Sequence, residues 1–228
     1  MHRVSGLLVA HITRSLCVAG MIAVPGDTSA SRATQTPISI APFTAIEVPH
    51  GGHVLLRPGP AHRVTLPSGN RDLSRVSVTD GVLVIDKCRS ECPRGNRLEI
   101  EVQTPGVRRI SFANGGWIRS SDGFPRQAEL SVAVSNGGTI DVRSIAADSV
   151  TASVRHGGRI LTVPRTWLFA SVANGGAITY WGEGRVRSSI ELGGVIEKGK
   201  DEEIDLPLTE ARPENVRRHE HDLNDGTS

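Results

Sequence analysis

The sequence predicts an all-β fold, namely a β-solenoid of the parallel β-helix type with coils of 18 to 22 residues that turn at Asn-Gly-Gly. A glycine-pair motif recurs five times, and apolar residues alternate with small polar residues before each pair. The composition also disfavours long helices, because the 228 residues include 25 glycines and 13 prolines but only 4% aromatic residues. These features together indicate a stack of short strands joined by tight turns.

The repeat occupies residues 110–198 and reads ANGGWI, SNGGTI, RHGGRI, ANGGAI and ELGGVI in successive copies. The first glycines of the five pairs are separated by 22, 20, 18 and 18 residues. Such a spacing corresponds to one solenoid coil per copy, and a single coil has no partner for its apolar face. Stacking of neighbouring coils is therefore the predicted source of the core.

Each copy carries an apolar residue three positions before and three positions after its first glycine. The residue four positions before the glycine is small, so the alternation has the period of two that a half-buried strand requires. An antiparallel sandwich of hairpins would also alternate, but the shared columns favour parallel coils with like residues stacked on like. The apolar columns are Phe112, Val134, Val154, Val172 and Ile190 before the glycine, and Ile118, Ile140, Ile160, Ile178 and Ile196 after it.

The turn chemistry follows from the glycine pairs. A sharp corner requires a positive φ, which glycine adopts without cost and asparagine tolerates better than most residues. Asn114, Asn136 and Asn174 precede three of the pairs, so their side-chain amides are expected to stack as a ladder. His156 and Leu192 occupy the same position in the other two copies and are expected to interrupt that ladder.

Residues 1–33 have the order of a secretory signal peptide. Basic residues as far as Arg14 precede an apolar run over 15–24, and small-x-small cleavage sites end at Ala30 and Ala33. The alternative, a buried N-terminal helix, would place Arg14 against the apolar stretch without an evident partner. We therefore expect export to the periplasm, the cell surface or the extracellular space.

Residues 34–109 show less regular β patterning and are predicted to form an irregular β cap. Gly51-Gly52, in the segment HGGHV, resembles a divergent first turn of the solenoid. A cap is expected here because the end of an open solenoid exposes unpaired strand edges that promote association. The domain is thus predicted to span 34–198, with repeat coils over 110–198.

The remaining residues, 199–228, are predicted to form an acidic disordered tail. From residue 197 onward there are ten acidic and five basic side chains, together with few apolar ones, which is typical of a solvated segment. The formal charge of the whole chain is only +2, which gives no reason to expect a nucleic-acid partner. No apolar run reaches the length of about 18 residues that a membrane-spanning helix needs.

The candidate ligand site is a mildly basic patch formed by Arg143, Arg155, His156 and Arg159, which could contact sulfated or phosphorylated glycans. An exposed turn cluster without a ligand is the alternative interpretation. Carboxylates in the repeats fall in different columns, so no pair is placed for acid–base chemistry. The sequence predicts a non-catalytic protein with no cofactor and no metal site.

One further pattern resembles a known family. An F-x-x-I-x-V strand at residues 43–48, a G-x-L-x-I strand at 81–85, a Pro-x-Val turn at 105–107 and then ISFANGG with serial glycine pairs are similar to the putative auto-transporter adhesin, head-GIN domain family. The resemblance covers roughly residues 40–198. It implies a secreted β-solenoid of the bacterial envelope, with adhesion as its inferred role, and it brings no catalytic residue.

These observations favour an exported, adhesin-like β-solenoid that presents a flat face to a glycan or envelope partner. One alternative is a structural or assembly protein of the envelope without a small ligand, which self-associates through the solenoid ends. The least favoured alternative is a polysaccharide-cleaving enzyme of the β-helix type, because the repeats lack a carboxylate cluster.

Removal of the signal would leave Cys88 and Cys92 as an even pair in an oxidising compartment, and we predict that they form a disulfide. Alkylation of the exported protein followed by mass spectrometry should leave both thiols unlabelled until a reductant is added. Full labelling without reductant would contradict the disulfide. Alkylation of the reduced, unfolded chain is the control for reagent access.

Overall fold

A computed structural model describes residues 37–68, 75–86 and 98–200, and within these ranges the chain forms β-strands and no helix. The strands upstream of the repeats are β1 (Ile38–Ser39), β2 (Ala45–Val48), β3 (Gly52–Pro58), β4 (Arg63–Ser68), β5 (Arg75–Thr79), β6 (Val82–Asp86) and β7 (Glu99–Thr104). The strands of the repeats are β8 (Arg109–Ala113), β9 (Gly116–Ser120), β10 (Gln127–Ser135), β11 (Thr139–Asp141), β12 (Ala147–Arg155), β13 (Arg159–Thr162), β14 (Pro164–Ala173), β15 (Ala177–Tyr180), β16 (Arg185–Glu191) and β17 (Val195–Lys198).

The strands form two sheets, and each repeat contributes one strand to each. Sheet A has the spatial order β1-β4-β7-β3-β9-β11-β13-β15-β17, and sheet B has the order β16-β14-β12-β10-β8-β2-β6-β5. Neighbouring repeat strands are parallel and in register, so that Ile140 lies between Ile118 and Ile160. The structure therefore confirms the all-β solenoid, and the parallel register excludes the antiparallel sandwich.

The upstream region contributes coils that are out of chain order. Strands β2 and β3 pair in parallel with β8 and β9, and Gly52 lies opposite Gly116. On their other side they pair in parallel with β6 and β7, which come later in the chain. Strands β4 and β5 then pair antiparallel with β7 and β6. The segment predicted as an irregular cap thus contains a Gly-Gly coil in register with the repeats, as well as antiparallel strands at the end of the stack.

The core lies between the two sheets and consists of the stacked apolar columns. Phe112, Val134, Val154 and Val172 have at most 2% of their surface exposed, and the isoleucines of the opposite column are equally buried as far as Ile178. The last coil differs, because Ile190 is 50% exposed. Burial in each coil therefore depends on the coil that follows it.

The turns use positive φ as the sequence predicts. In the first repeat, Asn114 has φ 65°, and the two glycines that follow have φ 82° and 101°. Asn136 Nδ2 donates to Asn114 Oδ1 at 3.3 Å, which is one step of the expected amide ladder. His156 does not simply interrupt the ladder, because its Nδ1 lies 3.2 Å from Asn174 Nδ2. An imidazole nitrogen can therefore take the place of the amide in the ladder. Leu192 occupies the same position in the last copy, where its side chain offers no hydrogen-bonding group and is 78% exposed.

Several predictions concern residues outside the described ranges. These are the signal peptide over 1–33, the pair Cys88 and Cys92, and the acidic tail from residue 201 onward. They stay predictions. In the parts of the chain that the structure does describe, no helix is long and apolar enough to cross a membrane.

In the five repeats, the second glycine of each pair has less room than the first. A Cβ on Gly137 would meet nothing within 4 Å, whereas a Cβ on Gly138 would collide with the buried ring of Phe112. We predict that Gly137→Ala destabilises the domain by about 1–2 kcal/mol through its positive φ. Gly138→Ala should cost roughly 3 kcal/mol or more, because the core must also shift. Urea unfolding monitored by tryptophan fluorescence measures both, and equal losses would contradict the close approach at Gly138.

Candidate functional site

The predicted basic patch is divided by the fold. Arg155 ends β12, His156 lies in the turn, and Arg159 begins β13, so these three follow one corner of a single coil. Arg143 lies four residues beyond Thr139, the partner of Arg159 in the neighbouring strand. Strand β11 ends at Asp141, so Arg143 lies in the corner that leads from β11 to β12. The structure thus groups Arg155, His156 and Arg159 but places Arg143 at the opposite corner.

Arg143 is engaged by its own surroundings. Its Nε donates to Asp141 Oδ1 at 2.9 Å and its Nη2 to Asp141 Oδ2 at 2.8 Å, in a bidentate pair. The two side chains are only 11% and 13% exposed, and the guanidinium lies 5.3 Å from the ring centroid of Trp181. This pair provides hydrogen-bond donors to both oxygens of the Asp141 carboxylate on the outer side of sheet A. Arg143 therefore has a structural role at that corner.

The three tryptophans have different surroundings. Trp181 is 3% exposed and donates from Nε1 to the carbonyl of Lys200 at 2.8 Å, so it packs as part of the fold. Trp117 stacks on His53 on the outer face of sheet A, with ring centroids 4.9 Å apart and planes within 8°. Trp167 lies on the outer face of sheet B, in β14.

The outer face of sheet B is an ordered array of small side chains. The position four residues before each first glycine points outward in every repeat, and the in-register pairing brings these residues side by side. A second outward column lies two residues earlier in each strand. The first column contains Ser111, Ala133, Ser153, Ser171 and Ser189, and the second contains Arg109, Ser131, Thr151, Phe169 and Arg187.

Two stacked aromatic side chains lie on the same outer face of sheet B. Trp167 and Phe169 of β14 stack with ring centroids 6.0 Å apart and planes within 17°, and Phe169 is 39% exposed. The guanidinium carbons of Arg185 and Arg187, on the neighbouring strand β16, lie 5.5 Å and 5.3 Å from the Trp167 centroid. These distances are within the range of cation–π attraction. We call the four residues the aromatic–arginine cluster.

The candidate site predicted from the sequence includes none of the four residues of the aromatic–arginine cluster. The available signal was the repeat spacing of 18 residues, which places Arg185 beside Trp167 and Arg187 beside Phe169. All four occupy outward positions in their strands. Because outward columns need no fixed residue type, only the register reveals that these side chains are neighbours.

Other features of the described residues are less suited to a site. A cavity of about 370 Å³ near Phe43 and His62 has no carboxylate in its lining. Among residues 37–68, 75–86 and 98–200, no three histidine, cysteine, aspartate or glutamate side chains are grouped to hold a metal ion. On the last coil, the hydrogen bond and positive charge of Lys198 lower the pKa of the exposed Glu183 carboxyl.

Solved structures that are similar to this chain include proteins from Bacteroides fragilis, Parabacteroides merdae and Clostridium sporogenes. A putative adhesin from Bacteroides fragilis is 18% identical, with a TM-score of 0.47, over 72% of this chain and 95% of its own. A putative adhesin from Parabacteroides merdae is 14% identical, with a TM-score of 0.33, over 73% and 96% of the two chains. A putative cell adhesion protein from Clostridium sporogenes is 12% identical, with a TM-score of 0.29, over 72% and 94%.

Comparison with curated proteins finds no match. A family model, in contrast, matches residues 42–160, which is more than half of the chain. The matched segment begins before β2 and extends into β13, so it includes the coil around Gly51-Gly52 and the first three repeats. The chain belongs to the putative auto-transporter adhesin, head GIN domain family.

Proposed function

We propose that this protein is an exported, non-catalytic adhesin of the bacterial envelope that binds a glycan through the outer face of sheet B. The observation that carries the proposal is the stacked pair of Trp167 and Phe169, which lies beside Ser149 and Thr151 on the outer face of sheet B. The family and the similar structures are named for adhesion, which supports a location at the cell surface or in the envelope.

The chemistry of the face suits carbohydrate. Aromatic side chains combine a large apolar area with a defined ring plane, which fits the apolar face of a sugar ring. The neighbouring hydroxyls both donate and accept hydrogen bonds, as the hydroxyls of a sugar do. Ser149 and Thr151 lie directly beside Trp167 and Phe169 in the register, so both kinds of contact are available to one oligosaccharide.

The basic corner of Arg155, His156 and Arg159 extends this surface through Arg155, whereas Arg159 lies beyond the turn on β13 of sheet A. Arg155 stands on the same outer face of sheet B, one strand from Ala173 at the end of β14. Its charge suits carboxylated, sulfated or phosphorylated sugars that reach beyond the aromatic pair. In this proposal the aromatic pair supplies the general affinity for sugar rings, and the basic corner selects acidic ligands.

A second candidate function is supported by the exposed end of the stack. Val186, Ile190 and Val195 are 36%, 50% and 46% exposed on the last coil, which would allow end-to-end stacking of copies in an envelope assembly. This candidate predicts a mass that rises with protein concentration. It makes no prediction about glycans.

We predict that the full chain is retained on an array of bacterial and host glycans without releasing sugar. Trp167→Ala and Phe169→Ala should each weaken binding by about tenfold or more, because each removes a stacking surface. Trp117→Ala is the matched control, because it removes the same side chain from the outer face of sheet A. Circular dichroism and thermal unfolding check that each variant is folded.

Arg155→Gln together with Arg159→Gln should weaken the binding of acidic glycans while leaving neutral glycans unaffected. Undiminished binding by both aromatic variants would overturn the proposed face. Release of reducing ends or unsaturated sugars would overturn the non-catalytic assignment.

A further inference from the structure

Sheet B ends at β16, which is the terminal strand of that sheet in the described part of the chain. Every residue of β16 is exposed, and the inward-facing Val186 and Ile190 have 36% and 50% of their surface exposed. Their counterparts one coil earlier, Leu168 and Val172, are fully buried, and β16 is the strand that lies over them. The end of the stack therefore presents apolar side chains beside a strand edge, a combination that natural sheets usually cover.

The backbone of β16 directs hydrogen-bonding groups toward this edge. The N–H of Asn174 donates to the carbonyl of Glu191 at 2.9 Å, so the polar backbone groups of Glu191 point back to the preceding coil. Along a strand these groups alternate in direction from one residue to the next. Those of Val186, Ser188 and Ile190 therefore point away from β14, toward the side on which no described strand of sheet B follows.

The sequence of β16 is complementary to itself when it is read in the opposite direction. The strand reads RVRSSIE, with Ser188 at its centre, an apolar residue two positions away on each side and opposite charges three positions away. Two antiparallel copies aligned on Ser188 would set Val186 of each copy opposite Ile190 of the other. The same alignment would set Arg185 opposite Glu191, twice in the pair. The apolar residues face inward and the charged residues face outward in both copies, so each pair shares one face of the sheet.

This alignment also fits the hydrogen-bonding pattern of the edge. In an antiparallel pair, opposite residues alternately exchange two backbone hydrogen bonds and none, and the side chains of the second kind lie closer together. Val186, Ser188 and Ile190 would be the residues that exchange hydrogen bonds with the second copy. Arg185 and Glu191 would fall at positions of the second kind, where opposite charges across the strands stabilise the sheet.

Other antiparallel alignments of two β16 strands are poorer. A centre between two residues would set inward residues of one copy opposite outward residues of the other. A centre at Arg187 would set the two Arg187 side chains opposite each other, and like charges in that position are destabilising. A centre at Ser189 would set Ile190 opposite Ser188, so that Val186 and Ile190 would no longer be partners. Only the alignment on Ser188 matches both the apolar and the charged residues.

We propose that the protein forms a two-fold symmetric dimer in which β16 pairs antiparallel with β16 of a second copy. A two-fold axis perpendicular to the sheet at Ser188 generates this pairing and keeps the inward faces of both copies inward. Each copy covers Val186 and Ile190 of the other, and the assembly closes at two copies because both use the same edge. The dimer deepens the second candidate function by giving self-association a defined geometry, and it does not rest on the glycan proposal.

The dimer has a consequence for the outer face of sheet B. Strand β14 of one copy would lie three strand spacings from β14 of the other, which is about 14 Å measured across the strands. The two stacked pairs of Trp167 and Phe169 would therefore lie on one continuous face. A ligand that reaches both pairs would bind with higher avidity than a ligand that reaches one.

The test is sedimentation equilibrium of the chain over a range of concentrations, with charge variants at Arg185 and Glu191. The unmodified chain should reach the mass of a dimer and no higher. Arg185→Glu and Glu191→Arg should each raise the Kd of the dimer by about tenfold or more, because each sets like charges opposite one another twice. Arg109→Glu is the matched control, because it makes the same change in β8 on the same face, away from the edge, and it should leave the dimer intact.

A mixture of the two variants gives a readout that misfolding cannot imitate. Pairing of an Arg185→Glu chain with a Glu191→Arg chain sets opposite charges together at both positions. The mixture should therefore recover the dimer that neither variant forms alone. Residue-resolved amide hydrogen exchange adds a second measurement, because the amides of Val186, Ser188 and Ile190 should be protected in the dimer and lose that protection on dilution.

A chain that stays monomeric at all concentrations would overturn the dimer, and protection of the β16 amides in that monomer would assign the edge to another segment of the same chain. A mass that keeps rising beyond two copies would contradict the closed geometry and favour an open assembly. A mixture that recovers no dimer would rule out the alignment on Ser188.

Discussion

Parallel, in-register hydrogen bonding between successive coils is the constraint on which the rest of this structure depends. It holds neighbouring strands about 4.8 Å apart, so that each side chain lies next to the side chain at the same position of the neighbouring coil. Inward columns are then mostly apolar, because a polar member lies between neighbouring layers without a partner, as the buried hydroxyl of Thr162 does among the described residues. The column of Ile118, Ile140, Ile160 and Ile178 is apolar throughout.

The same constraint operates on the backbone at the corners. Successive turns approach so closely that the second glycine of each pair in the five repeats has no space for a side chain, as Gly116 shows against the backbone of Gly52. The residue before the pair must accept a positive φ but has space outside the stack. Asparagine and histidine both satisfy this condition, and their polar atoms meet those of the neighbouring coil, as Asn174 and His156 show.

The outer faces and the ends of the stack are less constrained than its core, and they differ from each other in the residues that they allow. An outward residue needs only to avoid its neighbours, so serines and threonines can line the outer face of sheet B beside Trp167 and Phe169. An end, in contrast, leaves inward columns without their next layer. Antiparallel β4 and β5 stand at one end of the sheets, and β16 exposes Val186 and Ile190 at the other. The proposed glycan-binding face and the exposed end of the stack are therefore separate surfaces.

The sequence by itself determined the all-β class, the coil length, the buried columns and the turn positions, because all of these are periodic and each copy supports the others. Only the tertiary structure decided that the coil of β2 and β3 lies between coils from elsewhere in the chain. It also decided that Arg143 bonds Asp141 beside Trp181, and that Trp167 meets Arg187. These contacts join residues whose types follow no shared period, so their proximity depends on the register and packing of the folded chain.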